Sequence, residues 1–181
     1  MPFYHTLGQI PRKRHIVFRK PDGGLYHEHL MGNEGFTGSS ALLYHIHPPT
    51  TVKAVRRMKD LKYEGEPRRL LKHRHFRTAG VTRGGSPTLD RKLVMYYDDI
   101  AMLYAVPGTE DQHFYRNAQG DEVVYVVEGE GVIETQYGDL PFVPGDYVVI
   151  HRGILHRYRI RSEEHTSELQ SHLNLVCRLL L

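Results

Sequence analysis

Histidines two residues apart on an extended strand point to the same face and can chelate one metal ion. His45-Ile46-His47 and His73-Arg74-His75 have that spacing. Neither pair has a carboxylate at a matching strand position, so both are read as surface or interface histidines. A richer set lies between His113 and Tyr158. Tyr115 and Asn117 stand two apart, Glu122 follows on the next run of residues, and His156 comes near the end of the stretch. Buried together, such groups would hydrogen-bond to one another or line a small-molecule pocket. The sequence excludes other chemistries. Its one cysteine is Cys177, so residues 1–160 contain no disulfide, thiolate metal site or cysteine nucleophile. No P-loop, GxGxxG or Ser-His-Asp arrangement is present.

The elements that must position these groups are short strands. From Lys92 onward the pattern is β. Ile100–Val106 is an apolar run that ends at Pro107-Gly108. Glu122–Glu128 alternates and is rich in Val and Tyr, Gly129-Glu130-Gly131 supplies a turn, and Val132–Tyr137 returns, which predicts a hairpin. Asp139–Gly145 reads as a Pro- and Gly-punctuated loop, and Tyr147–Ile150 and His156–Ile160 read as strands. Closely spaced strands with Gly/Pro turns indicate a sandwich or barrel. Upstream, residues 1–50 are rich in Gly, Pro, His and Tyr, with Pro21-Asp22-Gly23-Gly24 a turn signal. A short helix is expected near Val52–Leu61, and Thr82–Pro87 is a loop.

The stretch from His113 to Tyr158 resembles the two signature motifs of the cupin superfamily. In the first motif two histidines one residue apart precede a glutamate, with a glycine seven positions later. Glu122 and Gly129 fit the glutamate and glycine, and the histidine positions fall on Tyr115 and Asn117. In the second, Gly138, Pro144-Gly145-Asp146, Gly153 and His156 fit, with His151 where proline is usual. The resemblance implies an all-β, cupin-type double-sheet jelly-roll barrel. In cupins the two histidines, the glutamate and the second-motif histidine hold Fe, Mn, Zn or Ni. Asn is a poor transition-metal ligand and neutral Tyr a weak one. Tyr115, Asn117, Glu122 and His156 are therefore read as a degenerate metal site, with His113 a substitute ligand at best. No metal, cofactor-binding or catalytic residue is assigned.

The N-terminal part resembles the opening of homogentisate 1,2-dioxygenases of the shorter bacterial type. The matching segments are Leu25-Tyr26-His27-Glu28-His29-Leu30-Met31-Gly32, Gly35-Phe36-Thr37 and Leu43-Tyr44-His45-Ile46-His47-Pro48. His45 stands where arginine is frequent. The resemblance covers residues 1–160 and implies an iron-dependent enzyme that opens the ring of homogentisate to maleylacetoacetate in tyrosine and phenylalanine catabolism. That family has two cupin-type halves. The C-terminal half holds one Fe(II), and the N-terminal half lacks a metal. Its members assemble as trimers and dimers of trimers, and the substrate is a small aromatic acid. On this reading the chain is the N-terminal half only, inactive by itself and without Fe(II). The competing reading is a stand-alone cupin that binds a small molecule or acts like a sugar isomerase.

From Arg161 the character changes. Arg161-Ser162-Glu163-Glu164-His165-Thr166-Ser167-Glu168-Leu169-Gln170-Ser171-His172 resembles the in-frame translation of a sequencing-library adapter. Residues 161–181 are therefore expected to be a non-native tail, residues 91–160 the cupin core (motifs 113–129 and 138–158), and residues 1–90 an extended N-terminal arm with peripheral strands. Charge is uneven: residues 1–80 hold 15 Lys+Arg against 6 Asp+Glu, and residues 81–160 hold 7 against 12. The basic residues are scattered among His, Tyr and Gly without a recognition-helix or RNP-type pattern, so no nucleic-acid partner is expected. The basic arm is expected to pack against the chain's own acidic domain or a neighbouring subunit instead. Met1–His15 has no apolar leader core, and Leu173–Leu181 is too short to span a bilayer. A cytoplasmic protein with no membrane partner is expected.

Overall fold

The computed structural model describes residues 17–60, 62–65, 73, 75–161 and 175–179, with Asn33 and the last five described by backbone alone. Residues 1–16, the start of the expected arm, lie outside the described residues. The chain divides into two compact units, residues 1–61 and 62–181.

In the first unit, Pro21–Gly24 forms the turn its residues predict. The Gly23 N–H donates to Lys20 O at 2.9 Å, and the Gly24 N–H donates to Asp22 Oδ1 at 2.9 Å. Gly23 holds φ at 83°, a left-handed conformation that costs glycine little. Strands β1 (His27–Glu34) and β2 (Thr37–His45) follow as an antiparallel pair, with His27 opposite His45. Alternation puts His27, His29, Met31, Ala41, Leu43 and His45 on one half-buried side. His29 Nδ1 lies 3.2 Å from His45 Nε2.

The helix expected near Val52–Leu61 is not formed over the described part: residues 51–60 have no regular structure. Val52, Val55 and Met58, three apart, would supply its apolar stripe, yet all three are exposed. An amphipathic helix this short needs a surface to pack on, and its intrinsic stability in water is marginal.

The second unit contains the remaining strands. These are β3 (Lys92–Tyr96), β4 (Ile100–Tyr104), β5 (Tyr115–Arg116), β6 (Asp121–Tyr125), β7 (Gly131–Thr135), β8 (Gly138–Phe142), β9 (Tyr147–Ile150), β10 (Leu155–Ile160) and β11 (Leu175–Leu179). One sheet runs β5-β10-β7-β8 and the other β3-β4-β11-β6-β9. The core draws on both. Val124, Val148 and Ile150 come from the second sheet, and Ile133, Phe142 and Tyr158 from the first, with Val126 beside them. Each such side chain contributes about 1.5–3 kcal/mol on burial. This is a double-sheet jelly-roll barrel.

Two strand expectations are corrected. The hairpin expected from Glu122–Glu128 and Val132–Tyr137 does not form, because β6 pairs with β9 and β7 pairs with β8 and β10. The Gly129–Gly131 segment carries the chain from one sheet to the other, as a jelly roll requires. Gly131 is tightly fitted there: an added Cβ would clash with Arg159 O and lie 2.7 Å from Phe142 Cζ. The Asp139–Gly145 loop is also shorter than expected, since Gly138–Phe142 is strand β8. Its Pro141 is tolerated because β8 is an edge strand. Residues 162–174 of the expected tail lie outside the described residues, and β11 pairs antiparallel with β4 and β6.

Candidate functional site

Alternation along β6 decides where Glu122 goes. Glu122 and Val124 are buried while Asp121, Val123 and Tyr125 are less so. Glu122 therefore shares the core side with the aliphatic cluster and is only 3% exposed. A carboxylate there must be paired or neutralised. On β10 the same rule buries His156 and Tyr158 together. His156 is the cross-strand partner of Tyr115 on β5, and their rings meet edge to face at 5.5 Å.

The partner of Glu122 is Arg91. Its Nη1 donates to Glu122 Oε2 at 2.8 Å, and both side chains are more than nine-tenths buried. Asn117 Nδ2 donates to Glu122 Oε1 at 3.0 Å. Burial alone would push the Glu122 carboxyl up. The Arg91 guanidinium, its hydrogen bond and the Asn117 amide outweigh that and hold it below the usual carboxylate value. Burial likewise opposes the charge on Arg91, and Glu122 more than restores it.

The segment before β3 aims the guanidinium. Arg91 Nε donates to Pro87 O at 2.7 Å. Asp90 closes the turn by accepting from the Ser86 N–H at 2.8 Å. Buried Asp111 clamps the same segment to β10. It accepts from Ser86 Oγ at 2.5 Å, Thr88 Oγ1 at 2.7 Å and the Tyr158 N–H at 3.0 Å. Arg91 also lies over the Tyr115 ring, 5.7 Å from its centroid.

His156 Nδ1 lies 3.1 Å from Ile154 O. A carbonyl only accepts, so Nδ1 carries the proton and Nε2 is the acceptor. Burial holds the His156 pKa below its usual value, so the ring is neutral near pH 7. Burial pushes the Tyr158 hydroxyl up, so it too stays neutral. Arg91 Nη2, His156 Nε2 and Tyr158 Oη are buried without a hydrogen-bond partner among the described residues.

Tyr115, Asn117, Glu122 and His156 are thus brought into one network. Arg91 and Asp111, which sequence reasoning did not single out, complete it. Among the described histidines, His113, His47, His73 and His75 are exposed. His151 is exposed beside Asp121 at 3.6 Å. A separate open cavity of about 560 Å³ is lined by Val81, Thr82, Gly84, Gly85, Asp90 and Lys92, and holds none of the four cupin-motif residues.

The metal that cupins hold does not fit these residues. Asn117 turns its amide nitrogen to Glu122, while its oxygen accepts from the Gln119 and Gly120 N–H groups at 3.0 and 3.2 Å. Both Glu122 oxygens are engaged, one by a cation. Among the described residues no three His, Cys, Asp or Glu side chains are placed to hold a metal ion.

The two sheets and this motif network describe a double-sheet jelly-roll barrel with a buried polar centre. Residues 102–171 match the family model described as a cupin domain, which supports placing the chain in the cupin superfamily. The chain is also similar to a Saccharolobus solfataricus protein named "Putative dioxygenase SSO1533", at 35% identity over 162 residues. That alignment covers 84% of this chain and 40% of the relative, so the chain spans about two fifths of the relative's length. Among solved structures, protein NMB1881 from Neisseria meningitidis is similar over 51% of this chain and 85% of its own, with 16% identity and a TM-score of 0.38. A cupin protein, BF4112 from Bacteroides fragilis, is similar over 50% of this chain and 75% of its own, with 13% identity and a TM-score of 0.39. No helix among the described residues is long and apolar enough to cross a membrane.

Proposed function

We propose that this chain is the metal-free, N-terminal cupin half of an iron-dependent, ring-cleaving dioxygenase whose substrate is the small aromatic acid homogentisate. The observation that carries the reading is the Arg91–Glu122 ion pair at the cupin metal position, with Tyr115 and Asn117 where histidines would stand. It suits a half that supports a partner half and does no iron chemistry itself. Similarity to a longer dioxygenase-named relative, and the segments shared with homogentisate dioxygenases, support the choice of reaction class. In this reading Fe(II) and the catalytic residues belong to a second half, and the assembled enzyme is trimer-based.

The chain loaded with Fe(II) should not convert homogentisate to maleylacetoacetate above the free-iron background. The gene continued through its natural sequence beyond codon 160 should do so. Turnover by the present chain, or a natural stop directly after Ile160, overturns the reading. A stand-alone small-molecule-binding cupin is the second reading. It is favoured by the buried Arg91 Nη2, His156 Nε2 and Tyr158 Oη, which have no hydrogen-bond partner among the described residues, and a natural stop would select it.

A further inference from the structure

We propose that the Arg91 guanidinium holds the electrostatic place of the divalent cation in this cupin centre and bars a metal ion from it. The disagreement between fold and donor set is then more than a loss of two histidines. Ligand loss alone would leave Glu122 a buried carboxylate without a counter-charge, which would have to take up a proton to stay buried. Here the charge is met by a cation from outside both motifs, 31 residues away in sequence. The geometry fixes that cation in three ways. Arg91 is tied to Glu122 Oε2 by Nη1 and to Pro87 O by Nε. Its parent segment is clamped by Asp111. Its guanidinium lies over the ring of Tyr115, the residue at the first histidine position. A metal ion would have to approach a resident positive charge in a low-dielectric interior, where like charges repel strongly. It would also have to take Glu122 oxygens that Arg91 and Asn117 already occupy.

The consequence is specific: restoring the histidines is not enough to restore a metal site. This inference stands apart from the dioxygenase reading, since it concerns only the groups around Glu122. The test uses the full chain and two variants, dialysed against Zn²⁺ or Mn²⁺ and assayed for bound metal. Tyr115→His/Asn117→His keeps the ion pair. It should fold and retain no more metal than the unmodified chain. Adding Arg91→Met, which keeps most of the side-chain length, should raise metal retention at least about tenfold, toward one ion per chain. It should also raise the unfolding temperature when Zn²⁺ is present. Stoichiometric metal in the double variant overturns the proposal by itself, because Arg91 would then be no barrier. So does a triple variant that, refolded with Zn²⁺, binds no more than the double. A triple variant that folds only with Zn²⁺ supports it, since the ion would then be replacing the guanidinium.

Discussion

The β1–β2 hairpin and the barrel are built from the same kind of strand and are organised in opposite ways. In the hairpin, residues 27–32 and 40–45 alternate between half-buried and exposed positions, and no residue from 17 to 60 whose side chain is described is fully buried. Phe36, Leu30 and Leu42 are all exposed. A two-stranded pair of this sort is marginal in water without a further layer. In the barrel, alternation over β6, β7, β9 and β10 turns one side of each strand into a closed cluster from Val124 to Tyr158. The lesson lies in the polar residues. His29 and His45 meet on a half-buried face where water can still help. Glu122 meets Arg91 where it cannot, so the barrel had to supply a partner from its own chain.

That contrast can be broken or sharpened by substitution. The largest effect is expected for Tyr158→Ala, which empties a fully buried position between Phe142 and His156. It should cost about 3–5 kcal/mol in denaturant unfolding. A cost below 1 kcal/mol, on the same scale, would mean the cluster is not the core. Tyr158→Phe should be close to neutral by the same measurement, because the hydroxyl it deletes has no hydrogen-bond partner among the described residues.

Gly131→Ala comes next, at about 1–3 kcal/mol, since the new Cβ meets Arg159 O and the Phe142 ring. Acid should act on the barrel through Glu122 and His156. Their folded-state pKa values lie below the usual 4.5 and 6.5, so as pH falls the unfolded chain binds each proton first. Stability should be full above about pH 6.5, decline below it as the unfolded chain's histidine protonates, and decline further below about 4.5. Thermal unfolding across pH 3–8 reads this directly, and Glu122→Gln should shrink the lower step and leave the part due to Glu134, which the Arg157 hydrogen bond also holds below the usual carboxylate value. The smallest effect is expected in the hairpin. Phe36→Ser at its exposed turn should change stability by no more than about 0.5 kcal/mol, and a larger loss would show that a surface covers Phe36.

Much of the barrel was legible in sequence because period-two alternation is local. The strands at Ile100, Tyr147 and His156 sit where the apolar pattern puts them. Partner choice was not legible. Gly129-Glu130-Gly131 reads as a hairpin turn, yet whether such a turn closes one sheet or crosses to another depends on surfaces far away in sequence. Strand β8 was hidden by Pro141, whose meaning changes once β8 is known to be an edge. At the site, Tyr115, Asn117, Glu122 and His156 were found by motif spacing. Arg91 was not, because it belongs to no motif and its partner is 31 residues away. A buried parity for Glu122 without motif histidines was the one available signal that some cation had to be supplied.

The central claim is that Arg91 and Glu122 organise this centre as a pair. A double-mutant cycle tests it most directly, with Arg91→Met, Glu122→Gln and the combined variant compared by urea unfolding at pH 7. Each single change should cost about 3 kcal/mol or more, because it strands a buried partner. The combined variant should cost less than the sum by about 2–3 kcal/mol, since it removes both charges at once. Single effects that add to within about 0.5 kcal/mol would contradict the account, because the two residues would then be acting independently.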